Sequence, residues 1–163
     1  MKRIKWLFGL CLMTLVVCSS SNVQAESSSH VTDDGIEYIT FSDRDEVSIG
    51  KYKGTNETVI IPSEIDGKPV TRVWGGFFDT KVMKHCAIPE GVYEIYSDKM
   101  WRLRKPTTLE SVSLPSTLKT IGDGTFSQCY NLSNITLPEG LTSIGMGAFS
   151  DCSFTKIRIP DSV

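Results

Sequence analysis

Apolar and polar positions repeat along the chain, most strictly near its C-terminal end. Pro115 and Pro138 lie 23 residues apart, as do Phe126 and Phe149. Alternate residues of a strand face the same side, so an apolar-x-apolar pair predicts a short strand with one buried face. The proline that follows would end that strand, because it has no N–H to donate. Such a pair precedes five prolines: Val59 and Ile61, Cys86 and Ile88, Val112 and Leu114, Ile135 and Leu137, and Ile157 and Ile159.

Between these predicted strands the chain carries a glycine-rich stretch that ends in one aromatic residue. Clear examples are Gly122–Phe126 and Gly145–Phe149, and the first repeat has Gly75, Gly76 and Phe78 in the same places. A single coil of this length cannot bury its apolar side, whereas stacked coils share one continuous core. The predicted fold class is therefore a mainly β solenoid over residues 57–163. Its short parallel strands, one per coil, would be joined by irregular or short helical turns.

A different pattern precedes the repeats. Residues 36–41 and 46–52 alternate in polarity around the polar residues 42–45, which predicts a β-hairpin. Over 36–56 this hairpin would cap the first coil and shield an open sheet edge. Residues 26–35, rich in serine and acidic side chains, are predicted to be a flexible leader.

The first 25 residues have the plan of a secretory signal peptide. A basic start is followed by an apolar run from Trp6 to Val17 and by small residues before a cleavage site after Ala25. A membrane anchor is the alternative, but the run is shorter than the ~20 apolar residues that span a bilayer. Acylation of Cys18 is a second alternative, weakened because Val17 stands where a lipidation motif has a small residue.

Charge and cysteine content narrow the function. The net charge is −2, and it falls to about −5 without the first 25 residues, which argues against nucleic-acid binding.

Removal of those residues leaves Cys86, Cys129 and Cys152, too few and too widely spaced for a disulfide framework or a zinc site. Cys129 and Cys152 occupy equivalent places in consecutive coils, so they predict either a disulfide bond or a ladder of buried thiols. The parallel direction of their side chains favours the ladder.

Taken together, the proline, the Ile-Gly step, the aromatic residue and the cysteine resemble the BspA-like leucine-rich repeats of bacterial surface proteins. The element Leu132-x-x-Ile135-x-Leu137 is the part shared with leucine-rich repeats in general. The resemblance covers about residues 57–163 and is poorest over 90–106, where a basic insertion at 100–106 replaces the usual turn. It implies a secreted or cell-surface protein that binds host matrix proteins, other cells or glycans. The hairpin before the repeats is also similar to the start of such proteins.

If the apolar residues of each strand point inward, the residues between them form an outward ladder, the surface that repeat proteins commonly use for binding. An ordinary solvated face is the alternative for any one of these residues. The predicted ligand-binding face consists of Thr58, Ile60, His85, Ala87, Ser111, Ser113, Asn134, Thr136, Lys156 and Arg158.

The sequence gives little support for catalysis, and we predict that the protein is not an enzyme and needs no cofactor or metal. His30 lies in the predicted leader, and His85 and Cys86 would point to opposite faces of one strand. Asp43, Asp45 and Glu46 could hold calcium, but a polar hairpin turn explains them as well. Trp74 and Trp101 are expected to pack or to line a rim, and the basic insertion around Trp101 could make a specialised contact.

The last repeat begins at Phe154 and stops before its glycine and aromatic positions. An uncapped coil of this kind could pair with a second copy, so self-association is possible. The leading functional prediction is a surface or secreted binding module for a protein or glycan ligand, with no membrane span. The alternative is a structural segment of a larger exported protein whose activity lies elsewhere.

Overall fold

The chain forms a mainly β solenoid of about four turns. The computed structural model describes residues 26–97 and 107–163. Within these ranges the one helix is a 3₁₀ helix at Gly75–Phe78. The strands are β1 Ser27–Val31, β2 Ile36–Phe41, β3 Val47–Tyr52, β4 Thr58–Ile60, β5 Glu64–Ile65, β6 Lys68–Trp74, β7 His85–Ala87, β8 Glu94–Tyr96, β9 Ser111–Ser113, β10 Thr120–Ile121 and β11 Ser143–Ile144.

Two sheets run along the solenoid. The long sheet has the order β1-β2-β3-β6-β8-β10-β11, with β5 paired to β6, and the short sheet has the order β4-β7-β9. Several coils therefore contribute two strands, where we expected one. The second strand was missed because each two- or three-residue strand buries one apolar side chain, such as Ile95 or Ile121, and shows no alternation.

The apolar row predicted inside the short sheet is present. Val59, Cys86 and Val112 are register partners in consecutive strands. Their exposed fractions are 5%, 4% and 7%. A matching row of β-branched residues lines the inside of the long sheet, where Ile95 pairs with Ile121. The two rows face a common core, so neither sheet needs any other layer to cover it.

Aromatic rings fill the core between the sheets at the turns. Phe78 and Phe126 are 5.0 Å apart between ring centroids, and Phe126 stacks on Phe149 at 5.5 Å with an interplanar angle of 8°. The series continues to Tyr52 at one end, through Phe77, and to Phe154 at the other. The predicted placement of one aromatic residue per turn thus produces a stack that links the coils.

The predicted hairpin is formed by β2 and β3, and it caps one sheet only. Strand β3 pairs in parallel with β6, and Val47 and Ile49 are completely buried against the first coil. The long sheet is therefore covered at this end. The short sheet is not, because β4 is its edge strand and Ile60 remains 72% exposed.

The segment 26–35 differs from the flexible leader that we predicted. It contains β1, which pairs antiparallel with residues 37–41 of β2, from Ser27 opposite Phe41 to Val31 opposite Glu37. All five residues of β1 are exposed. The strand is thus held by backbone pairing and not by burial, which is why the hydrophobic pattern gave no sign of it.

The far end of the solenoid is less regular than predicted. Residues 134–136 and 156–158 do not form strands. Leu137 is buried, Leu114 is half-buried, and Ile159, which we expected inside, is 46% exposed. Ile159 lies in the last coil that the structure describes, which packs against a neighbouring coil on one side.

Some predictions fall outside the described residues. These are the signal peptide with its cleavage site at Ala25, the possible acylation of Cys18, and the basic insertion with Trp101. In the parts that the structure describes, no helix has the length and apolar character needed to cross a bilayer.

Candidate ligand-binding face

The outward side of the short sheet brings together six of the predicted site residues. They form two rows across β4, β7 and β9, and their order is set by the parallel register. Five of them are exposed and Ala87 is half-buried. We call this surface the short-sheet face; its rows are Thr58, His85 and Ser111, and Ile60, Ala87 and Ser113.

The other four predicted residues do not extend this sheet. Asn134, Thr136, Lys156 and Arg158 are exposed, as expected, but they lie in segments without strand pairing. No backbone hydrogen bond joins 111–113 to 134–136 in the described chain. The predicted five-rung ladder is therefore a three-stranded sheet followed by two exposed segments.

A groove of about 500 Å³ separates β9 from the segment 134–136. Val112, Leu114 and Ile135 contribute its apolar lining, and Ser113 and Thr136 lie on its two sides. In a continuous sheet these apolar side chains would face the core, whereas here they line a groove that is open to solvent. Leu114 and Ile135 are correspondingly only half-buried.

A second groove, of about 620 Å³, begins at His85 and Ser111. The Nδ1 atom of His85 lies 2.9 Å from the Ser111 hydroxyl oxygen, so the two side chains are hydrogen-bonded across neighbouring strands. Sequence reasoning missed the rest of this groove, because its residues belong to turns. The further lining residues are Glu110, Tyr130, Asn131, Ser133 and Ser153.

With the fold and the face described, the chain can be compared with known proteins. Residues 102–163 match the family model described as "BspA type Leucine rich repeat region (6 copies)". Residues 102–163 thus carry BspA-type leucine-rich repeats. Repeats of this family are typical of bacterial surface or secreted proteins, and leucine-rich repeat solenoids are generally non-catalytic binding scaffolds.

Two solved structures show the same fold. A leucine-rich repeat protein from Bacteroides ovatus is 27% identical with a TM-score of 0.57, over 88% of this chain and 36% of that one. The T. pallidum leucine-rich repeat protein is 25% identical with a TM-score of 0.56, over 80% of this chain and 71% of that one. The chain thus spans little more than a third of the Bacteroides protein. A comparison with curated proteins gave no match.

The three cysteines outside the first 25 residues are packing residues. Cys86 and Cys129 are buried, Cys152 is half-buried, and none of the three forms a disulfide bond. Burial raises the pKa of Cys86 to about 12, and burial is also the main cause that raises the pKa of Cys152 to about 12. The Thr107 hydroxyl donates to Cys129 Sγ at 3.4 Å, and Cys152 Sγ donates to the Phe126 carbonyl at 3.1 Å. The thiols of Cys86 and Cys152 are therefore protonated at neutral pH and are poor nucleophiles.

The three acidic residues considered as calcium ligands, Asp43, Asp45 and Glu46, have cationic partners. Glu46 Oε1 lies 3.1 Å from Arg72 Nη2, and Asp45 Oδ1 lies 3.3 Å from Lys68 Nζ. The remaining carboxylate, Asp43, pairs with the adjacent Arg44. Across residues 26–97 and 107–163, no group of three or more His, Cys, Asp or Glu side chains is arranged to hold a metal ion.

Trp74 packs beside the repeats, in line with the role expected for it. A Cβ atom added to Gly76 would lie 2.2 Å from the Trp74 ring, so the ring rests directly on the glycine backbone. The ammonium group of Lys51 lies 5.6 Å from the ring centroid on the long-sheet side. The residue is therefore held in place by the first turn and is remote from the short-sheet face.

Proposed function

We propose that the chain is a secreted or surface-exposed, non-catalytic binding protein that recognises a protein or glycan ligand through the short-sheet face and the segments that follow it. The observation that carries this proposal is the in-register exposure of Thr58, His85 and Ser111 beside Ile60, Ala87 and Ser113. The signal-peptide pattern of residues 1–25 supports export.

The face has the mixed chemistry of a recognition surface. It combines hydroxyl groups and an imidazole with Ile60, which is 72% exposed on an uncapped edge strand. A single exposed apolar side chain is common on protein surfaces, so Ile60 counts here as one part of a mixed apolar and polar surface. The acidic balance of the chain outside the signal peptide argues for a protein or glycan partner over a nucleic acid.

The arrangement of the reactive side chains supports a non-catalytic role. His85 is exposed, whereas the adjacent Cys86 thiol points into the core and is 4% exposed. The two side chains therefore cannot act as a nucleophile and base pair. His85 instead forms a hydrogen bond with Ser111, and its described contacts include no carboxylate that would complete a serine–histidine–acid triad.

A ligand screen of the purified chain tests the proposal. The panel should hold matrix proteins and a glycan array, with binding constants for the hits measured by calorimetry. Ser113→Arg and Thr58→Arg, which place a bulky charge on the short-sheet face, should weaken binding by about tenfold or more. Ser143→Arg adds the same group to the long sheet and serves as the matched control, since Ser143 is exposed there.

The segments beyond β9 need their own variants. Lys156→Glu with Arg158→Glu reverses the charge of the last coil, and Arg158 currently pairs with Glu139 at 2.6 Å. If a ligand is found whose affinity ignores these changes and those at Thr58 and Ser113, the choice of face is wrong. If no panel member binds, the binding function itself is refuted.

The second candidate function is a structural segment of a larger exported protein. It is favoured by the share of the Bacteroides ovatus protein that the chain spans, 36%. The full-length product of the gene would decide, because additional repeats or an attached catalytic domain would place the activity elsewhere. A product that ends with these repeats would contradict it.

A further inference from the structure

The second groove lies at the N-terminal ends of β7 and β9, where the turns enter the short sheet. It is a depression of about 620 Å³ that is wide open to solvent. One side is formed by the hydrogen-bonded pair His85 and Ser111, and the other by the turn that carries Tyr130 and Asn131. The groove thus connects the short-sheet face to turn residues that are not part of the predicted ligand-binding face.

Tyr130 provides this groove with an exposed aromatic ring. Its side chain is 49% exposed, although the preceding residue, Cys129, is buried at 1%. The backbone beneath the ring is fixed, since the Ser153 hydroxyl donates a hydrogen bond to the Tyr130 carbonyl. The next repeat has Ser153 itself at the equivalent position, so the ring is a departure from the repeat and is not needed to build a coil.

The polar groups around the ring are those that recognise hydroxyl groups. Glu110 offers carboxylate oxygens as acceptors, Asn131 offers both a donor and an acceptor, and Ser133 offers a hydroxyl group. None of the described lining residues is a lysine or arginine. Lys84 lies near Glu110, whose carboxylate contributes to the raised pKa of Lys84. Lys84 itself pairs with Glu57 at 2.9 Å.

We propose that this groove binds a neutral oligosaccharide. A sugar ring presents an apolar C–H face, which suits the flat Tyr130 ring, and hydroxyl groups at its rim, which suit Glu110, Asn131 and Ser133. An anionic ligand is disfavoured by Glu110 and by the absence of a cation among the described lining residues. The inference rests on the proposed function and selects a glycan over a protein as the ligand.

The test uses the purified chain on an array of neutral, sialylated and sulfated oligosaccharides, followed by calorimetry with the hits. Tyr130→Ala should weaken binding of a neutral oligosaccharide by about tenfold or more, whereas Tyr130→Phe, which keeps the ring, should stay within about threefold. Tyr93→Ala is the control, because Tyr93 is also exposed, at 37%, but lies beside the long sheet. Circular dichroism should show the same unfolding temperature for wild type and Tyr130→Ala within about 2 °C.

The outcomes separate this inference from the proposed function. Neutral oligosaccharides that bind and are lost in Tyr130→Ala support both. A protein ligand that depends on Ser113 and not on Tyr130 overturns the sugar groove and leaves the binding module standing. Preference for sialylated or sulfated glycans overturns the assignment of a neutral ligand, and no binding to any glycan or matrix protein overturns both.

Discussion

Phe126 is the residue through which the aromatic stack can be tested most directly. It is completely buried, and its ring centroid lies 5.0 Å from that of Phe78 and 5.5 Å from that of Phe149. Phe126→Ala removes these contacts and leaves a cavity between coils, which costs about 3–5 kcal/mol in the free energy of unfolding. A domain of this size has about 5–15 kcal/mol in total, so the melting temperature should fall by about 10–20 °C.

Urea unfolding followed by circular dichroism measures this loss. Phe126→Leu retains most of the volume and should lose much less than the alanine variant. Phe149→Ala is the positional control: Phe149 is only half-buried and lies nearer the end of the stack, so it should lose clearly less than Phe126→Ala. A loss below about 1 kcal/mol for Phe126→Ala, or one no larger than that for Phe149→Ala, would refute the view that this stack holds the coils together.

Three further predictions concern the packing of the coils and the cap. Gly145→Ala would place a Cβ atom 2.4 Å from the backbone nitrogen of Asp123, so it should cost about 1–3 kcal/mol in urea unfolding; an unchanged midpoint would contradict this close approach. The Cys86 thiol, with its pKa raised to about 12 by burial, should resist iodoacetamide at pH 8 in the folded chain and react once urea unfolds it, as mass spectrometry would show. Burial and a 2.6 Å hydrogen bond to Asp66 raise the pKa of Tyr38 to about 12, so the folded chain keeps a proton that the unfolded chain loses near pH 10. The stability from this group is complete below pH 10 and is lost as the pH rises towards 12. Tyr38→Phe should flatten that decline, and an equally steep fall would contradict the assignment.

The sequence predicts the solenoid well because its strongest signal, the apolar-x-apolar alternation, follows directly from strand geometry. Val59 and Val112 occupy alternating positions before a proline, and that alternation decides which side chain enters the core. Strands such as β10 in the long sheet were missed because they are very short: Ile121 is the single buried residue of a two-residue strand. Strand β1 was missed for a different reason, since it buries no side chain and follows β2 through backbone pairing and exposed side-chain contacts.

The candidate site could be predicted only in part. Alternation was enough to place His85 and Ser111 on the outer face of neighbouring strands. It could not show that β9 would be the last strand of the short sheet, because that depends on the distance between coils. Alternation could not predict the Tyr130 groove either. The sequence did contain one signal for it, because Tyr130 is replaced by Ser153 at the equivalent position of the next repeat.

The coils beyond β9 are joined through the long sheet and the turns, and not through the short sheet. The side of these coils that continues the short-sheet face is therefore free to vary in sequence. Strands β10 and β11 remain paired, and the turns are joined by hydrogen bonds from Phe126 N to Ala148 O and from Gln128 N to Ser150 O, both 2.8 Å. Backbone pairing and aromatic stacking therefore maintain the register on two sides of each coil. The third side, which carries Asn134 and Thr136, contributes no described backbone hydrogen bond to β9. Exposed residues there can change with little effect on folding, so the proposed binding surface can diverge while the repeat stays intact.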